Sequence, residues 1–428
     1  MALTLQLPVL NPARPGAHGA LEPYALRGTA PPRPSRAVRF NRIAYSAAHV
    51  VADPRAAIDP WLQSAVDWDA TIAYRQHLWS LGLGVAEAMD TAQRGMGLDW
   101  PTSLELITRS LDAARDVPGA LVASGCGTDH LALDEVRTVD QVIAGYETQM
   151  EAIEKLGGTL IVMASRALAH VAKSPADYER VYDRILSQAR QPVVLHWLGE
   201  MFDPALAGYW QGSDQVGAGR GSDQVGAGRG SDQVGAGGSA DVGAAMDTAL
   251  GIIAAHPDKV DGIKISLLDK DREIAMRRRL APRVRMYTGD DFNYAELIAG
   301  DGAGSAPRQG HSDALLGIFD AIAPAASAAL GELAQGSVER FHAILGPTVP
   351  LSRHIFAAPT RFYKTGVVFM AWLNGHQQHF TMVGGQQSTR SLVHFAELFR
   401  LADAANLLQQ PELATQRMKT LLALHGVE

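Results

Sequence analysis

One cysteine, Cys126, is all that the 428 residues contain. A lone thiol can form no intramolecular disulfide and no cysteine-built zinc site, which fits a cytoplasmic protein. Long hydrophobic runs are also missing, since no window approaches the roughly twenty apolar residues of a membrane span. Positive charge is in short supply: 38 Lys and Arg stand against 45 Asp and Glu, for a net charge of −7. That balance argues against nucleic acid or an anionic membrane surface as a partner. Residues 1–37 lack the charged start, apolar core and cleavage site of an export signal, and read as a flexible or surface-wrapping arm.

What is present is rhythm. From Arg39 onward, short β-like runs alternate with amphipathic helical stretches, the pattern of a parallel sheet covered by helices. Strands are expected at 42–46, 82–88, 120–124, 159–164, 192–196, 260–266 and 283–288, with an eighth near 300–306. Helix starts are legible as capping boxes at Thr102–Glu105 and Thr138–Gln141, and as Ser174-Pro175. Eight such units over residues 38–323 close a (β/α)₈ TIM barrel. Beyond residue 323 the chain reads as helical to residue 428, forming extra C-terminal helices packed on the barrel. Three near-identical nonapeptides, GSDQVGAGR twice and then GSDQVGAGG, fill residues 212–238 and read as a glycine-rich loop.

The most informative stretch is Val260-Asp261-Gly262-Ile263-Lys264-Ile265-Ser266. Strand alternation puts Ile263 and Ile265 on one face, with Lys264 and Ser266 on the other. If the isoleucines meet the helices, the lysine looks into the barrel, where desolvation favours the neutral amine that attacks carbonyl carbon. The plainer alternative is a lysine that snorkels outward or pairs with Asp261, Asp290 or Asp291. Barrel enzymes build their sites at the C-terminal ends of their strands. The other candidates are therefore His196, as acid or base, with Glu87, Asp90, Ser124, Gly125, Ser165, Trp197, Ser266, Gly289, Asp290 and Asp291 as substrate-binding groups. Cys126 has only its position to suggest nucleophilic chemistry.

Gly262-Ile263-Lys264-Ile265-Ser266 resembles the Gly-hydrophobic-Lys-x-Ser of the dihydrodipicolinate synthase and N-acetylneuraminate lyase superfamily. Thr288-Gly289-Asp290-Asp291, Gly300–Ser305 and the helix opening at Tyr363-Lys364-Thr365-Gly366 resemble it too, and the closest likeness is to a branch of unknown function. The resemblance implies a class I lyase or aldolase that forms an imine on Lys264 without a cofactor, in a dimer or tetramer. Two departures stand out. The family's Gly-Thr-Thr-Gly-Glu loop is here Ala86–Thr91, and its strand-five tyrosine is replaced by His196-Trp197. Acids at Glu87 and Asp90, where the family binds a carboxylate, suggest a neutral polyol or sugar-like substrate instead, within a range of keto-sugar, sugar-acid or 2-oxo-acid derivatives. A second reading is a divalent-metal enzyme of sugar metabolism, with His49, Asp129, His130 and Glu200 among its ligands. A third is a non-catalytic sugar-binding barrel.

Overall fold

The computed structural model describes residues 4–9, 19–27, 32, 39–214, 241–304 and 307–427. Most of the nonapeptide stretch and parts of the N-terminal arm lie outside the described residues, as do Ser305 and Ala306. The chain opens with an antiparallel hairpin, β1 (Thr4–Val9) and β2 (Ala20–Ala25). Arg400 fastens this hairpin to the C-terminal helix Leu392–Ala404 by donating to the Leu7 and Pro8 carbonyls, and the Tyr24 hydroxyl donates to Asp403 at 2.6 Å.

Eight parallel strands follow and close into a barrel: β3 (Ala44–Ala47), β4 (Gly84–Glu87), β5 (Val122–Cys126), β6 (Thr159–Met163), β7 (Val193–Leu198), β8 (Val260–Ser266), β9 (Arg285–Thr288) and β10 (Asp313–Leu316). Each pairs with its neighbour in sequence, and β10 pairs with β3. The last strand corrects the sequence reading. It lies at 313–316 and not near 300–306, where Gly300, Gly302 and Gly304 all adopt positive φ in a loop. Four residues reading Asp-Ala-Leu-Leu are too few to display a period of two.

Alternation sorts the side chains. Tyr45, Ala47, Ala86, Ala123, Ile161, Val194, Tyr287 and Leu315 fill the barrel interior. Ile263 and Ile265 point the other way, into the layer beneath the helices, and are at most 1 % exposed. Burial of that kind stabilises by about 1.5–3 kcal/mol per side chain. Toward the N-terminal ends of the strands, the interior closes over the Tyr45–Tyr287 ring pair and the bonds from Tyr287 to Asp261 (2.7 Å) and from Arg285 to Asp313 (2.8 Å).

The helix caps largely follow the sequence. Thr138 and Gln141 form a reciprocal capping box, and Ser174 precedes Pro175 at a helix start. The helix expected to open at Thr102 opens earlier, because Asp99 accepts from the Thr102 amide and caps Trp100–Arg115. The C-terminal region comprises Ala323–Ala334, Val338–Leu345, Val349–Ile355, Tyr363–Leu373, Leu392–Ala404 and Pro411–Leu424. All eleven residues of Tyr363–Leu373 are buried, so this helix is covered on every side. Among the described residues no helix is long and apolar enough to cross a membrane.

Candidate active site

Lys264 is the fifth residue of β8, paired in register with His196 of β7 and Tyr287 of β9. Its side chain enters the barrel beneath the strands' C-terminal ends and is 7 % exposed. Among the described residues, no hydrogen bond or ion pair closes on its amine. Gly289 makes room for it: a Cβ there would lie 2.6 Å from Lys264 Cε and 2.3 Å from Ser266 Oγ. Only glycine allows the chain to pass this close.

The lysine sits in a pocket of about 290 Å³. Asp291 and Asp90 line it with His196, Ser266, Thr91 and Tyr363. Burial pushes the Lys264 amine below the ordinary lysine range, against the pull of Asp291 and Asp90. Burial likewise lifts the Asp291 carboxyl well above its usual range, although it accepts from the Ile318 amide at 2.9 Å. Mutual attraction would keep both groups ionised, so in each case desolvation outweighs it. Burial thereby draws the two groups toward each other's range, so that a proton moves between them at little cost. His196 is driven down by burial first and by Lys264 second. Its Nε2 lies 3.4 Å from Ser266 Oγ, and its Nδ1 is buried without a hydrogen-bond partner.

The far wall comes from the C-terminal helices. Tyr363 shares a 2.7 Å hydrogen bond with Thr91. The next residue, Lys364, donates to Asp90 Oδ2 at 2.9 Å and to the Arg361 carbonyl at 3.0 Å. Asp90, His196 and Leu198 also border a larger groove of about 730 Å³ that leads outward past Arg94 and Arg166. Each arginine has its own carboxylate: Arg94 holds Asp129 at 2.7 Å and Arg166 holds Asp203.

The other residues singled out in the sequence are not all here. Glu87 points outward between strand and helix, where Arg75 Nε and Nη2 donate to it at 2.9 Å each. Ser110 and the Ala88 amide occupy its remaining positions, so it has no substrate to bind. Ser124 and Trp197 also face the helices, since they alternate with the inward Ala123, Gly125 and His196. Gly125 is inward, but the space a Cβ would take is already closed by Ala88, Met89 and Met163. Ser165 caps helix Arg166–Val171 and bonds Thr128 at 2.6 Å. Asp290 is occupied by the amides of Phe292 and Asn293. Cys126 is buried, its thiol pushed up to about 12 by desolvation.

The residues considered as metal ligands are dispersed. His49 bonds Asp320 at 2.8 Å, His130 meets Gln149, Asp129 is held by Arg94, and Glu200 is exposed. Among the described residues no group of three or more His, Cys, Asp or Glu is arranged to hold a metal ion.

Comparison with known proteins places the chain in a family. The model of a family described as Protein of unknown function (DUF993) matches residues 13–224 and 231–427. The chain belongs to that family. No curated protein matches its sequence. Solved structures that share this DUF993 member's fold include dihydrodipicolinate synthase from Aquifex aeolicus (TM-score 0.59, 11% identity, covering 86% of this chain and 99% of that one). Another is the Cyanidioschyzon merolae enzyme with lysine bound (TM-score 0.58, 14% identity, 85% and 98%). A third is YagE, a prophage protein of the dihydrodipicolinic acid synthase family from E. coli K12, in complex with pyruvate (TM-score 0.56, 12% identity, 91% and 99%). The shared architecture is the (β/α)₈ barrel with C-terminal helices.

Tyr363, Lys364, Thr91, Arg94 and Arg166 were not among the site residues the sequence put forward, although Tyr363 and Lys364 open a helix it singled out and Thr91 ends the loop Ala86–Thr91. One signal was available: a lysine opening a helix that otherwise reads Thr-Gly-Val-Val-Phe-Met-Ala-Trp-Leu is out of place unless paired.

Proposed function

We propose that this DUF993 protein is a class I aldolase or lyase, making or breaking a carbon–carbon bond through an imine on Lys264. The observation that carries the reading is a buried, unpaired lysine facing a pocket with a carboxyl group that burial has raised well above its usual range. The neutral amine adds to the substrate carbonyl to give a carbinolamine. Asp291 supplies the proton with which the hydroxyl leaves as water, and the nitrogen's own proton returns to the carboxylate, leaving the imine. Once protonated, the imine accepts the electron pair of the neighbouring carbon–carbon bond as that bond breaks. The hydroxyl proton of the departing aldehyde passes to His196, which burial holds neutral and able to accept it. The resulting enamine is protonated on carbon, and water then releases the product. Read backwards, the same steps join the two fragments.

The fold of the dihydrodipicolinate synthases supports this reading, as does a pyruvate complex in one of them. Assembly as a homodimer or homotetramer in the cytoplasm belongs to the same proposal; because one dihydrodipicolinate synthase variant is monomeric, light scattering decides the assembly. The chemistry is tested by incubating the full chain with borohydride and a panel of 2-oxo acids, hydroxyketones and hydroxyaldehydes, then mapping peptides by mass. A reduced adduct on Lys264 supports the proposal. Its absence across the panel, in protein shown to be folded, ends it.

A further inference from the structure

We infer that the end of the substrate that condenses with Lys264 carries no carboxylate: it is a hydroxyketone or hydroxyaldehyde, not a 2-oxo acid. The inference deepens the Schiff-base reading and rests on it. Charge is the first ground. The pocket is lined by two carboxyl side chains, Asp90 and Asp291, and by one cationic side chain, Lys264 itself. That nitrogen is consumed in the imine. A 2-oxo acid sets its carboxylate one bond from the imine carbon, so in a pocket lined by Asp90 and Asp291 it would want either neutral donors clear of those carboxyls or a second fixed cation.

None of the neighbouring groups supplies one. Burial and the adjacent lysine keep His196 uncharged. Lys364 is close behind the wall, but its side chain is 2 % exposed and both recorded bonds of its amine run to Asp90 and the Arg361 carbonyl. Asp90, 22 % exposed, stands in front of it. A carboxylate arriving through the mouth meets the oxygens of Asp90 before it meets the ammonium, and like charges at that range in a partly desolvated site repel. In the outer groove Arg94 and Arg166 are already matched by Asp129 and Asp203.

What the pocket does offer suits hydroxyl groups. Carboxylate oxygens accept from them, and the hydroxyls of Ser266, Thr91 and Tyr363 can both give and receive. Asp90 thus occupies the role of a specificity residue, held in place by Lys364.

The test compares dihydroxyacetone with pyruvate, at equal concentration, in reductive trapping of the full chain. Labelling of the Lys264 peptide is normalised to that of exposed lysines, which removes the intrinsic reactivity of each compound. We expect dihydroxyacetone to label Lys264 about 10-fold more than pyruvate does, a difference of about 1.4 kcal/mol. Replacing the pair together, Asp90→Asn with Lys364→Met, removes both charges without stranding either and should shift the preference toward pyruvate by about 10-fold. Equal or stronger labelling by pyruvate overturns the inference while leaving the Schiff base intact. No shift in the double variant overturns the role of Asp90. No labelling of folded protein by either compound removes the Schiff-base reading and this inference with it.

Discussion

Buried charge is treated in opposite ways on the outer and inner faces of the barrel wall. In the layer between barrel and helices, Arg75 and Glu87 are both 0 % exposed and meet through two parallel hydrogen bonds of 2.9 Å, with Ser110 and a backbone amide completing the carboxylate. Inside the mouth, Lys264 has no such partner and His196 Nδ1 is buried without one. Desolvating an ion costs several kcal/mol unless its bonds are replaced. The outer pair replaces them. The inner amine is instead lowered to about 8, which enlarges the neutral fraction that acts as a nucleophile. Completeness of pairing therefore separates a charge that holds the fold from one left open for a ligand.

The sharpest challenge to that contrast is Lys264→Met. Trapping on this residue should vanish and turnover of any substrate found should fall by at least about 1000-fold. Stability should hold or rise by about 1 kcal/mol, because no partner is left stranded. A loss of stability in urea denaturation would mean that the lysine is structural. Glu87→Ala should behave in the opposite sense, costing about 3–5 kcal/mol by leaving Arg75 buried and uncompensated. A cost under about 1 kcal/mol would erase the distinction between the two places.

The same alternation that made Lys264 legible could not remove Glu87 in advance. Ile263 and Ile265 are bulky neighbours on one face, so the parity of β8 is plain in the sequence. In Gly84-Val85-Ala86-Glu87 every residue is small or apolar until the last, and nothing local says which side is inward. Only the closed barrel, with Ala86 among its interior side chains, fixes that choice. Ser124 and Trp197 were put forward for the same reason, each adjacent in sequence to an inward residue. Local signals sufficed for seven strands and for the caps at Thr138 and Ser174. They failed for β10, whose four residues carry no pattern, and for Tyr363 and Lys364. Those two reach Thr91 and Asp90 across more than 270 positions of chain, a contact that no local pattern encodes.

Glu273 tests the contrast from the side of its exception. It lies in the outer layer and accepts from Ser312 at 2.7 Å, yet one oxygen is buried without a partner and desolvation pushes its carboxyl up to about 8. By the rule above it should fold protonated. In the unfolded chain it ionises near its ordinary value of 4.5, so between about 4.5 and 8 the folded state holds the extra proton. Stability contributed by this group is then greatest at acid pH and declines as pH rises through that window. Glu273→Gln should flatten the decline, measured by urea denaturation at several pH values. An unchanged slope would show that Glu273 is ionised and belongs with the fully paired charges.

The smallest effect is expected from shortening the glycine-rich repeats. The described chain leaves the barrel after β7 and is fastened on both sides of that stretch: the Gln211 side-chain amide donates to the Asp241 carbonyl, and Asp241 caps helix Val242–Ala255 at 2.9 Å from the Gly243 amide. With the two ends tied to each other, their separation does not depend on the length of chain between them. The closure cost of a loop changes only slowly with length. Deleting one copy, residues 221–229, should therefore alter stability by less than about 0.5 kcal/mol and leave Lys264 trapping unchanged. A fall in trapping with stability preserved would extend the mouth beyond the groups described around Lys264. It would give the repeats a part in holding the substrate, the role that complete or incomplete pairing assigns to Asp90, Asp291 and His196.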